Sequence, residues 1–600
     1  MIRVYRYGLT PPTHNAELVR AQMRAGHEYR NTLTEIERGR RAAMREAMSS
    51  YADVAELERA VSAAEMDLER ALRAVSKERA RTRSRSETAE QRSAVTEARA
   101  AKKEAIARLR ERRAQLRDDA SVVARGEQIN DLAGELRRSA RAATDAYWGT
   151  YLLAEDAIGK ASKAPLYDGA EPNDPRFRRW DGTGSIGVQI QHGMTRSELL
   201  SCEDTRMQIA ESPRGRHDVY KVLRMRVGSD GRAPVWAEWG LKMHRAMPED
   251  GRIKAAVVVL RRIATREEWY VTITVDEGER EATCGRGAVA MNLGWRTLGA
   301  HDIRVAVSVD EQGSKRELRL PADVVTGIAR ADEIRSTRDV EFERARAAMV
   351  AWIDNADALP ACLSKARETL PQWKSEARLA SLVRRWRDER ADGDSPAFDA
   401  AEAWRKQDVH LWQWETEQRR RSELHRRDTY RCWAAELART YSTVILDDVD
   451  LSALAKRAPK EANAENETAR RARVLAAPSE LRGALENAFR GRGGHVLRLD
   501  PKDVTHTCAI CGVVESWDAA PMVHHACGGC GEIWDQDENA ALVLLTKWRE
   551  GLSGTADTAI ARGSRKPAES EANSNGRWQK VRRLRAEKDA RRTGRSQIGA

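Results

Sequence analysis

No run in this chain approaches the roughly 18 consecutive apolar residues that cross a bilayer, so no spanning helix is expected. Its first residues, MIRVYRYGLTPP, also lack the apolar stretch of a signal peptide, which places the protein in the cytosol as an expectation. Cysteine is sparse, eight in 600 residues, and in a cytosolic chain thiols or metal ligands are expected in preference to disulfides. Cys202, Cys284, Cys362 and Cys432 lie far apart and read as small core residues. Phenylalanine is scarcer still. Four Phe stand beside seventeen Trp, so aromatic bulk rests on a side chain that fills cores and can also stack on bases. A broad excess of positive charge is missing as well. The net charge is +12, but residues 561–600 hold twelve Lys/Arg against four Asp/Glu, leaving +4 for the first 560 residues. A polyanionic partner therefore has to be met by clustered arginines, whose planar forks pair with phosphate in bidentate fashion. A chain of this length exceeds one hydrophobic core and should form roughly three to five domains.

What the chain does contain is one dense block. Residues 508–541 read CAICGVVESWDAAPMVHHACGGCGEIWDQDENAA. Cys508, Cys511, Cys527 and Cys530 form two CxxC pairs, a spacing that brings two thiolates of one tight turn to a tetrahedral Zn²⁺ at about 2.3 Å. The block predicts a zinc ribbon over 507–536, running directly into an acidic, Asn- and Ala-containing helix start at Asp537.

The pattern elsewhere changes period along the chain. The first dozen residues predict a strand with Ile2 and Val4 on one face and Tyr5 and Tyr7 on the other, stopping at Pro11-Pro12. A helical domain over 16–174 follows. Val54, Leu57, Val61, Ala64, Leu68, Ala71 and Val75 keep a 3,4 spacing, and Val95, Ala98, Ala105, Leu109 and Leu116 repeat it less cleanly, predicting a long antiparallel helical hairpin. Its Arg- and Glu-crowded faces suit either a solvated coiled coil or an arm touching nucleic acid. Over 175–285, the runs at 184–191, 233–244, 253–263 and 268–277 alternate and predict a small β-barrel or sandwich.

Strands are predicted at 287–296, 303–312 and 316–321, then a helical insertion at about 325–440, a strand at 442–451, a helix at 479–494 and a strand at 495–501. With a last helix over 537–552, this is the element order of a ribonuclease-H-like sheet over 286–506, the ribbon inserted before the final helix. Residues 553–600 lose all apolar period and predict a basic disordered tail, either a non-specific nucleic-acid contact or a solubilising end. The fold class is multidomain α+β.

Phosphodiester hydrolysis by two Mg²⁺ requires carboxylates from three separated segments that converge on the metals. In a ribonuclease-H-like fold they stand on the first strand, at the end of the fourth and at the start of the last helix. Those positions here are Asn292, Asp447 (Asp448 adjacent) and Asp537. Asn292 offers an oxygen but no negative charge. Asp302 or Asp310, near the second strand, is the alternative source of the missing acid.

At these residues the chain resembles the TnpB and type V CRISPR effector superfamily, and most closely its miniature type V-M members. The motifs that carry the resemblance are Asn292 in VAMNLGWR, Asp447 in VILDDVDL and Asp537 in DQDENAA beside the CxxC ribbon. PRFRRWDGTGSI (175–186), MHRAMPEDGRIK (243–254), EEWYVTITV (267–275) and QWKSEARLASLVRRW (372–386) are similar to segments of that family. The resemblance implies a bilobed effector. Residues 16–174 form its helical recognition domain, inserted after the first strand (1–15) of a wedge β-barrel that continues over 175–285. Residues 286–506 and 537–552 form the RuvC domain, and the ribbon is a target nucleic-acid-binding domain. It further implies a CRISPR guide RNA, target double-stranded DNA beside a short flanking motif, a monomeric ribonucleoprotein in the bacterial cytoplasm, and a role in antiviral defence. Family nucleases carry Asp at the first motif and Glu at the second. Asn292 and the shorter Asp447 therefore imply R-loop formation that silences transcription with little or no cleavage, with Mg²⁺ at Asp447 and Asp537 left open. The rival readings are an active Mg²⁺-dependent RNA-guided endonuclease and a transposon-associated TnpB-like protein.

Overall fold

The structure, a computed structural model, describes residues 2–82, 89–116, 119–164, 173–211, 219–278, 283–451, 467–517 and 523–554. The predicted basic tail lies outside them from residue 555 onward. The chain divides into two compact units, Met1–Gly278 and Glu279–Ala600. No helix among the described residues is long and apolar enough to cross a membrane.

The first unit contains β1 (Ile2–His14), α1 (Ala16–Ser49), α2 (Ala52–Thr82), α3 (Ala89–Gln115), α4 (Ala120–Ala143), α5 (Trp148–Ser162), β2 (Gly184–Met194), α6 (Arg196–Leu200), β3 (Met207–Glu211), β4 (Tyr220–Asp230), β5 (Ala233–Lys242), β6 (Arg252–Ile263) and β7 (Arg266–Asp276). Its strands form one seven-stranded sheet in the order β2-β6-β7-β1-β5-β4-β3. The strand made first in the sequence lies in the middle, antiparallel to β7 from Ile2↔Asp276 to Leu9↔Trp269 and to β5 from Gly8↔Lys242. Alternation sends one face of every strand into a single core that includes Tyr7, Val188, Leu223, Trp239, Val258 and Ile273, joined by Val19 and Met23 of α1.

The tyrosine face of β1 is the buried one. Ile2 and Val4 are 65% and 58% exposed, while the Tyr5 hydroxyl donates to Glu277 Oε1 at 2.6 Å and that of Tyr7 to the Arg245 carbonyl at 3.1 Å. Burying both rings costs little polar satisfaction because each hydroxyl finds an acceptor. β1 also does not stop at Pro11-Pro12. It continues to His14, with the register shifting on either side of Pro12, because a residue without an N–H cannot hold the ladder in step. The strands expected to form a barrel or sandwich join in this one sheet, whose end strands β2 and β3 are not paired with each other among the described residues. β3 and β4 were not anticipated. In β4 the inward Leu223, Met225 and Val227 alternate with Arg224 and Arg226, the period of a half-buried strand.

α2 and α3 form the helical hairpin, with Val54, Val61, Leu109 and Leu116 in its core beside Met48 and Val122. α5 presses backbone to backbone on β2. A Cβ at Gly149 would stand 1.8 Å from the Gly187 carbonyl oxygen, so only glycine permits this approach.

The second unit contains β8 (Ala288–Gly299), β9 (Asp302–Asp310), β10 (Lys315–Arg319), α7 (Ala322–Asn355), α8 (Ala361–Ala366), α9 (Glu376–Asp388), α10 (Ser395–Thr440), β11 (Thr443–Asp447), α11 (Glu467–Ala476), α12 (Pro478–Arg490), β12 (His495–Leu499), β13 (His524–Ala526), β14 (Ile533–Asp535) and α13 (Gln536–Gly554). The sheet order is β10-β9-β8-β11-β12, with β8 and β12 both parallel to β11 and the β8–β9–β10 side antiparallel. Both faces are covered. Val289, Met291, Val444 and Leu446 pack against Tyr430 and Leu437 of α10 and Leu481 and Phe489 of α12. Ala288, Ala290 and Ile445 pack against Ala540 and Leu544 of α13. The helical insertion has its own core around Phe342, Leu379, Val383, Trp386 and Trp404. Arg338 of α7, buried, binds Asp408 and Glu415 of α10 at 2.8 and 2.7 Å. α11 was not anticipated.

Candidate functional site

The four ribbon cysteines converge. Their Sγ atoms all lie within 4.8 Å of one another; Cys508 and Cys530 are 3.9 Å apart, and Cys511 and Cys527 are 3.6 Å apart. A tetrahedral ion with Zn–S bonds of about 2.3 Å places its sulfurs about 3.8 Å apart, so the cluster fits a metal such as zinc. Two turns of the same construction present the thiolates. In the first, Cys508 N–H donates to the Val513 carbonyl and Gly512 N–H to the Cys508 carbonyl; in the second, Cys527 N–H donates to Glu532 and Gly531 N–H to Cys527. Each turn closes on a glycine of positive φ, 76° at Gly512 and 75° at Gly531. Burial works to raise the Cys508 thiol, but the backbone N–H groups of Cys511 and Ile510 and the neighbouring thiols hold it at about 7, while the same cluster raises Cys511 and Cys530.

Behind the cysteines stands a support that the spacing did not reveal. Glu515 accepts from the Gly528 N–H at 2.7 Å, lies 3.9 Å from Cys527 Sγ, and pairs with His525 Nε2 at 2.7 Å. His525 in turn stacks on Trp517 with ring centroids 4.3 Å apart. The ribbon is tied to α13 by Asn539, buried, whose Oδ1 accepts from Ala509 N–H at 2.8 Å and whose Nδ2 donates to the Thr507 carbonyl at 2.7 Å. That clamp is the physical work of the asparagine in the acidic helix start.

Asn292, Asp447 and Asp537 come from three elements and meet on one side of the sheet. Alternation puts Asn292 on the face of Ala288 and Ala290, and Asp447 on the face of Ile445, in each case the face that α13 covers. Leu446 pairs with Met291, so Asp447 ends the strand adjoining Asn292. Asp537 opens α13, and Asn292 Nδ2 donates to its Oδ1 at 3.2 Å. Asp302 and Asp310 do not join them. Asp302 is bound by Arg319 at 2.7 Å. Asp310 accepts from the Tyr441 hydroxyl at 2.9 Å and from the N–H groups of Gln312 and Ser314, capping a turn.

The arginines around this group are the part the sequence reading missed. Arg304 of β9, only 4% exposed, reaches Asp537 Oδ2 with Nε at 3.0 Å and grips Asp535 with both terminal nitrogens at 2.9 Å. Arg296 of β8 stands 3.4 Å from the same Asp537 oxygen and donates to Gln536 Oε1 at 2.6 Å. Arg482 of α12 lies 3.4 Å from Asp447 Oδ1. Burial works to lower the Arg304 guanidinium's affinity for its proton, but Asp535 and Asp537 raise it further still. Burial likewise acts to raise Asp535, and Arg304 holds it below the usual carboxylate range. Burial raises Asp447, with Arg482 opposing. One signal was present in the sequence: a lone arginine inside the apolar run IRVAVSV. Mg²⁺ requires several unencumbered oxygens at about 2.1 Å. Here the first ligand is a carboxamide with its donor end turned to Asp537, and both carboxylates have guanidinium partners. These residues do not fit a magnesium pair.

Residues 479–544, from α12 into α13, match the Cas12f1-like TNB domain family. The chain is 36% identical over 428 residues to the CRISPR-associated DNA-binding protein Cas12m of Allomeiothermus silvanus, covering 69% of this chain and 77% of that protein. It is 27% identical over 584 residues to the protein of the same name from Mycolicibacterium mucogenicum, covering 88% and 96%. A cryo-EM structure of a Cas12f1–sgRNA–target DNA complex aligns over 91% of this chain and 98% of that one at 11% identity and a TM-score of 0.32, too loose to transfer any detail. With its cysteine ribbon, its α+β architecture and these relatives, the chain belongs to the Cas12m family of miniature type V CRISPR effectors.

Proposed function

We propose that the chain is a CRISPR-RNA-guided effector that binds double-stranded DNA, opens an R-loop beside a short flanking motif and blocks transcription there, cutting DNA little or not at all. The relatives' name, CRISPR-associated DNA-binding protein, supports the binding half of this reading. Asn292 carries the other half. A two-metal nuclease needs a bridging carboxylate on its first strand, and a carboxamide supplies no charge to hold two cations.

In this reading the seven-stranded sheet is the wedge domain, the α1–α5 region the recognition domain, and the β8–β12 sheet with α13 a ribonuclease-H-like RuvC domain. Its 3-2-1-4-5 strand order, with strands four and five parallel to the first, supports that assignment. The cysteine turns hold Zn²⁺ as the target nucleic-acid-binding ribbon. Base pairing by the guide reads the target, and the protein reads the flanking motif and the shape of the heteroduplex.

The test is a paired assay on the purified full chain with one guide. Tight, sequence-matched retention of a duplex that stays intact in Mg²⁺ is expected, with repeat-spacer RNA recovered from the protein as isolated and a mass of one chain per guide. Mg²⁺-dependent cutting of matched DNA that Asp537→Ala abolishes would replace this reading with a nuclease. Absence of bound RNA would remove guidance altogether.

A further inference from the structure

At the β8–β11–α13 site a guanidinium carried by the protein itself, that of Arg304, reaches the carboxylate that opens α13. We propose that Arg304 excludes divalent metal from Asp537, so that the site is closed by two changes, the loss of the acid at Asn292 and the entry of Arg304, and cannot be reopened by restoring the acid alone. The inference rests on reading this site as nuclease-derived.

The placement of Arg304 is built into the sheet. Along β8 and β9 the pairing passes from Leu293↔Ala306 to Arg296↔Arg304, three steps on β8 against two on β9. Along β9 and β10 it passes from Leu318↔Ala306 to Arg319↔Arg304, one step on β10 against two on β9. Both neighbouring strands therefore slip register where Arg304 sits, and such bulges re-aim the side chains beside them. The guanidinium is thereby directed at α13, where it spans Asp535 and Asp537, with Glu317 a third partner at 3.2 Å. A fork of five donors matches two adjacent carboxylates in a way a single ammonium cannot.

Both oxygens of Asp537 have partners on the sheet. Oδ1 accepts from Asn292, and Oδ2 faces Arg304 and Arg296. A divalent ion arriving there would meet two guanidinium groups before it met a free carboxylate. Replacing Asn292 by Asp removes the amide donor to Asp537 Oδ1 but leaves Arg304 on Oδ2, so the guanidinium still stands where a cation would bind.

The experiment uses the zinc-loaded, guide-free full chain and Mn²⁺ as probe, read by the paramagnetic signal of bound Mn²⁺. Wild type and Asn292→Asp are expected to show no Mn²⁺ held at this site. Asn292→Asp with Arg304→Gln is expected to bind it at least tenfold more tightly than either single variant, and adding Asp537→Asn should abolish the gain. Where removal of a buried cation prevents folding, adding Asp535→Asn removes one buried anion with it and reads the same quantity. The proposal is overturned if Asn292→Asp alone binds Mn²⁺ as tightly as the double variant, or if the folded double or triple variant binds no better than wild type. Failure of the wild type to bind guide-matched DNA would instead sink the functional reading and leave this comparison standing.

Discussion

Asn292 and Asp537 are 245 positions apart in the chain and 3.2 Å apart in the fold, the carboxamide of one donating to Oδ1 of the other. The contact ties β8 to the first turn of α13, on the side of the sheet where Asp447 also ends its strand. A substitution here therefore tests packing as well as chemistry.

Asn292→Asp replaces a donor with a second anion against a buried carboxylate, which costs about 1–3 kcal/mol. Hydrogen exchange of the amides from Asp537 to Ala541 should accelerate accordingly. Unchanged protection there would show that the amide contact carries no weight.

Glu515 touches no metal directly but fixes His525 and the Gly528 N–H behind Cys527. Partners of this kind are worth about 10–100-fold in metal affinity. Glu515→Ala should weaken zinc retention against a competing chelator by that factor, whereas Cys527→Ser should empty the site. Equal retention by wild type and Glu515→Ala would assign the glutamate to surface solvation only.

Asp394 is held down to about 2 by Arg390, with the Ala391 N–H and the Trp386 indole N–H adding to it. A carboxyl that titrates lower folded than unfolded stabilises fully above its unfolded value and loses that contribution as pH falls toward the folded one. The window here runs from about pH 5 down to about 2. Asp394→Asn should raise hydrogen exchange of the Ala391 amide, whose N–H the carboxylate accepts, at pH 6 and flatten its dependence on pH below 5. A pH profile unchanged by the substitution would contradict the assignment.

Gly149→Ala should part α5 from β2, since the new Cβ would sit 1.8 Å from a backbone oxygen that cannot rotate away. Overpacking of this kind costs about 1–3 kcal/mol. A thermal melt of the full chain should show the loss in the first unit, with exchange in β2 accelerated; wild-type protection in β2 would mean the helix moves at no cost.

Local chemistry was legible directly. The CxxC pairs specify their own convergence, because two residues between cysteines make one tight turn and two such turns close a tetrahedron. The 3,4 spacing from Val54 to Val75 is visible because one helix face is buried continuously. β4 carries a clear period of two as well, its inward Leu223, Met225 and Val227 alternating with outward Arg224 and Arg226. The burial of Tyr5 and Tyr7 in preference to Ile2 and Val4 depended on Glu277 and Arg245, acceptors more than 200 residues away.

By itself, the sequence determined the ribbon, the hairpin, the strand order of the second unit's sheet, and the absence of an acid at position 292, each of which is a property of residue type or of short-range period. Only the tertiary structure decided what surrounds Asp537. Arg304, Asp535, Asp537 and Asn292 become neighbours through two register slips in β9's ladders and the packing of α13 on β8. No local pattern records a register slip, since its cause lies in the partner strand.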